Sequence, residues 1–197
     1  MIEIYNYIIQ NTYEFLGVVF SIIYVSLSIK QNILCWPALI IAAVFNMCAY
    51  YLMHLPLQTI MQFFFIGTAL YGWYNWKASE NSITLKVTRL IKQKHFKLIG
   101  TGILATIIMT IILNQLHERE LMTTSYPFSD GLIFVFNIIP MYMMGKKIIE
   151  SWIYFIVIDI YSGIFFYITE AYFFSFLFFC YIAFATYGYM TWKKEII

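Results

Sequence analysis

The sequence predicts an all-α integral membrane protein with seven transmembrane helices. Hydrophobic residues make up 62% of the 197 positions and charged residues only 11%, whereas a soluble domain carries about 25% charged residues. The mean hydropathy is +0.76, and the long runs are apolar on every face, unlike the alternating strands of a transmembrane β-barrel. A helix crosses the hydrocarbon layer in about 20 residues, so polar breaks delimit the spans. The predicted spans are 12–29, 33–53, 57–76, 96–116, 130–145, 151–169 and 171–192.

The N-terminal segment and the cysteines point to no cleaved leader and no metal centre. The first ten residues contain no Lys or Arg and no small-residue cleavage site follows the first apolar run, so we expect that run to remain as the first helix. Cys35, Cys48 and Cys180 lie in or beside apolar spans and form no C-x-x-C pair. We interpret them as small apolar residues, and we expect neither a metal nor a cofactor.

The basic residues predict the orientation in the membrane. Seven spans place the connections alternately on two sides, and eleven of the twelve basic residues fall on one side. Since basic loops stay in the cytoplasm, the N-terminus is predicted outside and the C-terminus inside. An ordinary cytoplasmic loop therefore explains the basic linker 77–97 better than a nucleic-acid site does. The eleven residues are Lys30, Lys77, Lys86, Arg89, Lys92, Lys94, Lys97, Lys146, Lys147, Lys193 and Lys194, against Arg119, Glu3, Glu118, Glu120 and Glu170 on the other side.

An internal repeat organises the spans. Shifting the sequence by 116 residues without a gap aligns basic, aromatic and glycine positions in three consecutive helices. The aligned pairs are Lys30 with Lys146, Trp36 with Trp152, Tyr51 with Tyr167, Tyr71-Gly72 with Tyr187-Gly188, and Trp76-Lys77 with Trp192-Lys193. Two three-helix units in the same orientation need one extra crossing between them, which gives a 3+1+3 parallel repeat. The predicted domains are 1–76, a connecting region 77–129 that contains a cytoplasmic linker, helix 96–116 and an outer loop, and 130–197.

The tryptophan-lysine pairs at the helix ends allow a simpler interpretation. Trp76 and Trp192, each followed by Lys, are typical of side chains that anchor a helix at the membrane interface. Anchoring does not explain why the ungapped register extends over three helices, so the duplication remains the stronger inference.

Two stretches resemble the nicotinamide riboside transporter (PnuC) family. Residues 55–65, LPLQTIMQFFF, followed by LYGWYNW at 70–76, look like the third-helix signature of that family. Lys146-Lys147, then Glu150-Ser151-Trp152 and Asp159, are similar to its basic loop, Asn-Trp pair and polar residue on helix six. The resemblance covers nearly the whole chain. Ser151 stands where the family often has Asn, Phe155 where a second Trp is common, and Ala69 where the family sometimes has Asn.

The resemblance implies a fold, a function and an assembly. It implies a SWEET-like arrangement, usually a homotrimer, that moves a vitamin-type precursor across the bacterial inner membrane. Nicotinamide riboside, taken up by facilitated diffusion and trapped by a cytoplasmic kinase, is the expected substrate. Thiamine is the alternative substrate, because the departures remove hydrogen-bonding groups and relatives of similar sequence are thought to carry thiamine.

Polar residues inside predicted spans are the candidate substrate-binding groups, since such residues usually face a cavity or another helix. Asp159 lies about 12 Å from the start of its span, where a carboxylate can face a cationic ring or accept hydrogen bonds from ribose hydroxyls. Gln62 corresponds by the resemblance to a substrate-contacting Gln. An interhelical hydrogen bond is the simpler role for either residue. The weaker candidates are two amides, Asn46 and Asn137, and four rings able to stack on a planar cation, Trp152, Tyr71, Tyr50 and Tyr187.

Motif searches disfavour other function classes. The sequence contains no H-E-x-x-H, no G-x-S-x-G and no G-x-x-x-x-G-K-[ST], so neither a membrane enzyme nor an ATP-driven pump is predicted. Its three histidines, His54, His95 and His117, fall at the ends of spans. Asp159 is the only ionisable residue near the middle of a span, which favours a uniporter over a proton relay. A passive channel or a membrane scaffold stays open as an alternative of another class.

Overall fold

The computed structural model of the chain shows seven helices in the residues that it describes. It describes residues 12–52, 56–80, 86–122, 124–170 and 172–196; Glu3, His54 and the linker residues 81–85 lie outside this part. The helices are α1 (Thr12–Ile29), α2 (Cys35–Leu52), α3 (Pro56–Glu80), α4 (Lys92–Glu118), α5 (Pro127–Gly145), α6 (Glu150–Ile168) and α7 (Tyr172–Lys193).

The helices follow the predicted spans closely. Their ends differ from prediction mostly by one to four residues, because polar breaks stop the apolar runs and leave little freedom in where a helix ends. Among the described residues, five helices are long and apolar enough to cross a membrane: α1, α2, α4, α5 and α6. The longest, α4, has 27 residues, or about 40 Å at 1.5 Å per residue. These properties are those of a multi-pass membrane protein.

The chain divides into two compact units, residues 1–84 and 85–197. In the first unit α2 packs on both α1 and α3. In the second unit α4 packs on α5, α5 on α6, and α6 on α7. The α4–α5 contact depends on Gly102, because a Cβ atom there would lie 2.9 Å from side-chain atoms of Phe136 and Ile139.

The same turn follows α1 and α5. Gln31 follows α1 and Lys147 follows α5, and both adopt a φ of 51°, in the left-handed region that residues other than glycine rarely visit. The next residue donates its amide to a carbonyl five positions earlier, at 2.9 Å in the first unit and 3.0 Å in the second. These turns lie 116 residues apart and lead directly into α2 and α6.

A short segment of the linker is fastened to the second of these turns. We call residues 86–90 the linker strap. The amide of Thr88 donates to the carbonyl of Lys147, and the amide of Ile149 donates to the carbonyl of Thr88, each at 3.0 Å. The amide of Leu90 donates to Oε2 of Glu150 at 3.0 Å. The strap therefore holds the start of α4 beside the α5–α6 turn within the second unit.

Candidate functional site

Two tryptophans and a glycine join α2 to α3 in the first unit. The indole rings of Trp36 and Trp76 meet edge to face, with centroids 5.2 Å apart and planes at 83°. Trp36 is fully buried and Trp76 is 3% exposed. A Cβ atom on Gly72 would lie 2.3 Å from Cη2 of Trp36, so only glycine allows the ring to lie this close to α3.

The second unit repeats this cluster 116 residues later, between α6 and α7. Trp152 and Trp192 meet edge to face at 5.4 Å and 87°, and a Cβ atom on Gly188 would lie 2.8 Å from the Trp152 ring. Trp192 is fully buried. The interpretation of Trp76 and Trp192 as interfacial anchors is therefore wrong: both rings belong to the core of a unit.

Two of the buried tryptophans have indole N–H groups without a hydrogen-bond partner among the described residues. These groups are Nε1 of Trp36 and Nε1 of Trp152, and both are buried. Trp152, a predicted stacking ring, is 3% exposed and packs against Trp192 and Gly188. The ring face is covered by packing, so stacking on a ligand, as predicted, would require Trp192 or Gly188 to move.

Asp159 is a buried carboxylate on α6, as predicted from the sequence. It is 4% exposed, and no hydrogen bond or ion pair joins it to another described residue. Burying a carboxylate without a partner is costly. Asp159 is therefore the strongest candidate in the second unit for contacting a ligand that carries positive charge.

Gln62 is the corresponding candidate in the first unit. It lies on α3 and is 2% exposed. Its Nε2 donates to the carbonyl of Gln58, one turn earlier, at 3.1 Å, while its Oε1 is buried without a partner among the described residues. The side chain thus retains one acceptor that a ligand N–H or hydroxyl could use.

The two asparagines are placed differently from each other. Asn46 on α2 donates from Nδ2 to Oγ of Ser21 on α1 at 3.5 Å, and it lies so close to Gly17 that a Cβ atom there would be 2.0 Å from its Oδ1. Asn137 on α5 is buried and donates to the carbonyl of Ile133 at 2.7 Å within its own helix. Asn46 therefore joins two helices, whereas this bond of Asn137 stays inside one.

The 116-residue offset exposes a polar residue that the sequence analysis missed. Ser162 occupies the position of Asn46, and Asn137 occupies that of Ser21, so the amide and the hydroxyl have exchanged helices. Ser162 is fully buried, and its Oγ has no partner among the described residues. It lies three residues after Asp159, on the same face of α6. The repeat offset together with this spacing would have identified it.

The three tyrosines differ in exposure. Tyr50 on α2 and Tyr71 on α3 are half-buried, whereas Tyr187 on α7 is 63% exposed. Tyr187 precedes Gly188, which contacts Trp152, but its own ring lies outside that cluster. The eight predicted substrate-binding residues divide equally between the two units. The first unit contains Asn46, Tyr50, Gln62 and Tyr71, and the second contains Asn137, Trp152, Asp159 and Tyr187.

A family model covers almost the whole chain. Residues 11–194 match the model described as nicotinamide mononucleotide transporter. The chain belongs to this family. The resemblance to nicotinamide riboside transporters stated above is thereby confirmed.

Two relatives of the chain differ in the substrate that their names give. The nicotinamide riboside transporter PnuC of Escherichia coli is 25% identical over an alignment of 138 residues, and the match covers 59% of this chain and 58% of that protein. The riboflavin/roseoflavin transporter RibM of Streptomyces davaonensis is 24% identical over 152 residues, covering 75% of this chain and 68% of its own. The chain thus spans under two thirds of the E. coli protein's length.

A solved structure shares the fold. The crystal structure of the vitamin B3 transporter PnuC superimposes with a TM-score of 0.72 at 17% sequence identity, covering 91% of this chain and 80% of that one. At this identity the match concerns the fold alone, which is that of a PnuC-like membrane transporter.

Proposed function

We propose that the chain carries nicotinamide riboside across the membrane by facilitated diffusion. The observation that carries this proposal is the buried carboxylate of Asp159, which has no partner among the described residues. The pyridinium ring of nicotinamide riboside bears a fixed positive charge, and a bound cation offsets the cost of burying a lone carboxylate. A ribose hydroxyl that donates to this carboxylate would add a charge-assisted hydrogen bond of about 1.5–3 kcal/mol.

The same argument ranks the other substrates. Riboflavin, which the name of the Streptomyces relative gives, has an uncharged ring system and would leave the carboxylate uncompensated. Thiamine carries a cationic thiazolium ring, so Asp159 serves it equally well, and it remains the alternative substrate. The acceptor on Gln62 suits the carboxamide of nicotinamide riboside, which can donate an N–H.

We also propose the arrangement in which this transport occurs. Seven spans form two parallel three-helix repeats joined by α4, in the SWEET-like 3+1+3 order, with the N-terminus outside the bacterial inner membrane and the C-terminus in the cytoplasm. Support comes from the basic residues on one side and from the turns and tryptophan pairs that recur at one offset. A homotrimer and trapping of the substrate by a cytoplasmic kinase complete the proposal, in which the chain itself is not an enzyme.

Binding and uptake measurements test the function. Calorimetric titration of the purified protein with nicotinamide riboside, thiamine and riboflavin identifies the substrate, and binding of riboflavin alone would overturn the argument from Asp159. In vesicles, saturable uptake that reaches equilibrium without an ion gradient, with competition between analogues, is expected of a uniporter. Uptake that rises linearly with concentration indicates a passive channel, and the absence of uptake indicates a scaffold.

Site-directed labelling tests the arrangement. Lys86 precedes α4 and Glu118 ends it, so cysteines at these positions should react from opposite sides of the membrane. Reaction of both from one side would show that α4 does not cross, and the parallel repeat would then fail whatever the substrate.

A further inference from the structure

The fold of the second unit brings two basic segments of the chain together. We define the basic surface as the basic residues of the strap, of the first turns of α4 and of the α5–α6 turn. These are Lys86, Arg89, Lys92, Lys94, Lys97, Lys146 and Lys147, all exposed except the half-buried Lys147. Residues 86–97 and 146–150 contain a single acid, Glu150. Its carboxylate accepts the Leu90 amide at 3.0 Å, so the surface retains a large excess of positive charge.

The backbone fixes this surface in place. Thr88 exchanges two hydrogen bonds with the α5–α6 turn, each at 3.0 Å, and the neighbouring side chains of Val87 and Ile148 are 7% and 8% exposed. The charged side chains of Lys86 and Arg89, on either side of Val87, are exposed. An anion that binds here would meet charges from two segments whose backbones are fastened to each other.

Apolar side chains interrupt the charges where α4 begins. Ile91 is 65% exposed and Phe96 is 78% exposed, and Lys92, Lys94 and Lys97 alternate with them along the chain. A soluble anion would leave these two side chains in water. A lipid offers a phosphate for the lysines and acyl chains for the apolar residues, as at other membrane interfaces.

We propose that the basic surface binds the phosphate headgroup of an anionic phospholipid in the leaflet at that end of the helices. The strap holds the two basic segments side by side, and Ile91 and Phe96 enter the acyl region beside the headgroup. This proposal depends on membrane insertion but not on which vitamin is carried.

Native mass spectrometry of the intact protein in neutral detergent tests it. Phosphatidylglycerol should bind more tightly than phosphatidylcholine with the same acyl chains. Each lysine near an anionic headgroup contributes about fivefold in affinity, so Lys92→Gln/Lys94→Gln should weaken phosphatidylglycerol binding by about ten- to thirty-fold. The matched control, Lys193→Gln/Lys194→Gln, removes the same charge outside the surface and should change binding by less than about twofold. Nicotinamide riboside binding should be unaffected by the first pair, which separates this proposal from the proposed function.

A charge-conserving variant tests the role of the strap. Thr88→Pro removes the N–H that donates to Lys147 and should reduce phosphatidylglycerol binding severalfold; if this variant does not fold, the lysine pair remains decisive. Equal binding of the two lipids would overturn the proposal. So would equal losses in the two lysine pairs, which would indicate net charge alone. Displacement of the lipid by inorganic phosphate would assign the surface to a free anion instead.

Discussion

Trp36 packs edge to face against Trp76 with ring centroids 5.2 Å apart, and the contact depends on the missing side chain of Gly72. Gly72→Ala should therefore lower the free energy of unfolding by about 1–3 kcal/mol through overpacking, measured as a lower unfolding temperature in detergent. Gly188→Ala should act in the same direction and less strongly, because its Cβ atom would lie 2.8 Å from Trp152 rather than 2.3 Å from Trp36.

Gly67 is the matched control for this prediction. It lies on α3 like Gly72, but a Cβ atom there meets nothing within 4 Å. Gly67→Ala should leave stability unchanged or raise it by up to about 1 kcal/mol, since alanine favours a helix. Equal unfolding temperatures for the Gly67 and Gly72 variants would contradict the close packing.

Trp76→Ala tests whether the ring belongs to the core. Removing a buried tryptophan should cost about 3–5 kcal/mol, whereas Tyr74→Ala on the same helix should cost little because Tyr74 is 73% exposed. Thermal unfolding of the two variants side by side provides the comparison. A small effect at both positions would restore the interpretation of Trp76 as an interfacial anchor.

Asp159→Asn keeps the shape of the side chain and removes its charge. Binding of nicotinamide riboside should weaken by about ten- to a hundredfold, the loss expected for a charge-assisted contact, while the folded protein should be as stable as before or more so because a lone buried carboxylate is removed. Calorimetric titration and thermal unfolding measure the two effects separately.

Asp130→Asn is the control variant, because it removes the same charge as Asp159→Asn at another position. The Asp130 carboxylate already accepts a hydrogen bond from the hydroxyl of Thr124, so Asp130→Asn should leave the affinity for the cation within about twofold. If the Asp130 variant lost as much affinity as the Asp159 variant, the effect would come from the overall field and not from a contact at Asp159.

Gln62→Leu removes the amide at nearly constant volume. We expect the affinity to fall by about fivefold, which corresponds to one hydrogen bond of about 1 kcal/mol, with little change in stability because the buried Oε1 has no partner among the described residues. Gln58→Leu keeps the backbone carbonyl that Gln62 uses and serves as the control. Unchanged affinity in the Gln62 variant would remove this residue from the candidate site.

The sequence predicts only part of the candidate site. Asp159, Gln62 and Asn137 were recognised because a polar residue in an apolar run stands out, and all three are buried. Ser162 was missed because serine is common in membrane helices and draws no attention alone. Tyr187 and Tyr71 occupy equivalent positions of the repeat, yet Tyr187 is exposed and Tyr71 is half-buried, because a repeat does not dictate exposure.

The sequence by itself determined the helices, their limits and the positions that recur after 116 residues. These depend on composition and on local polar breaks, which need no knowledge of what a helix packs against. The tertiary structure alone decided that Trp76 and Trp192 enter the core and that the strap meets the α5–α6 turn at Thr88. The physical reason is that helices apolar on all sides carry no periodic signal for their buried face. Which helix faces pack together depends on contacts between residues tens of positions apart, such as the contact of the Trp36 ring with Gly72.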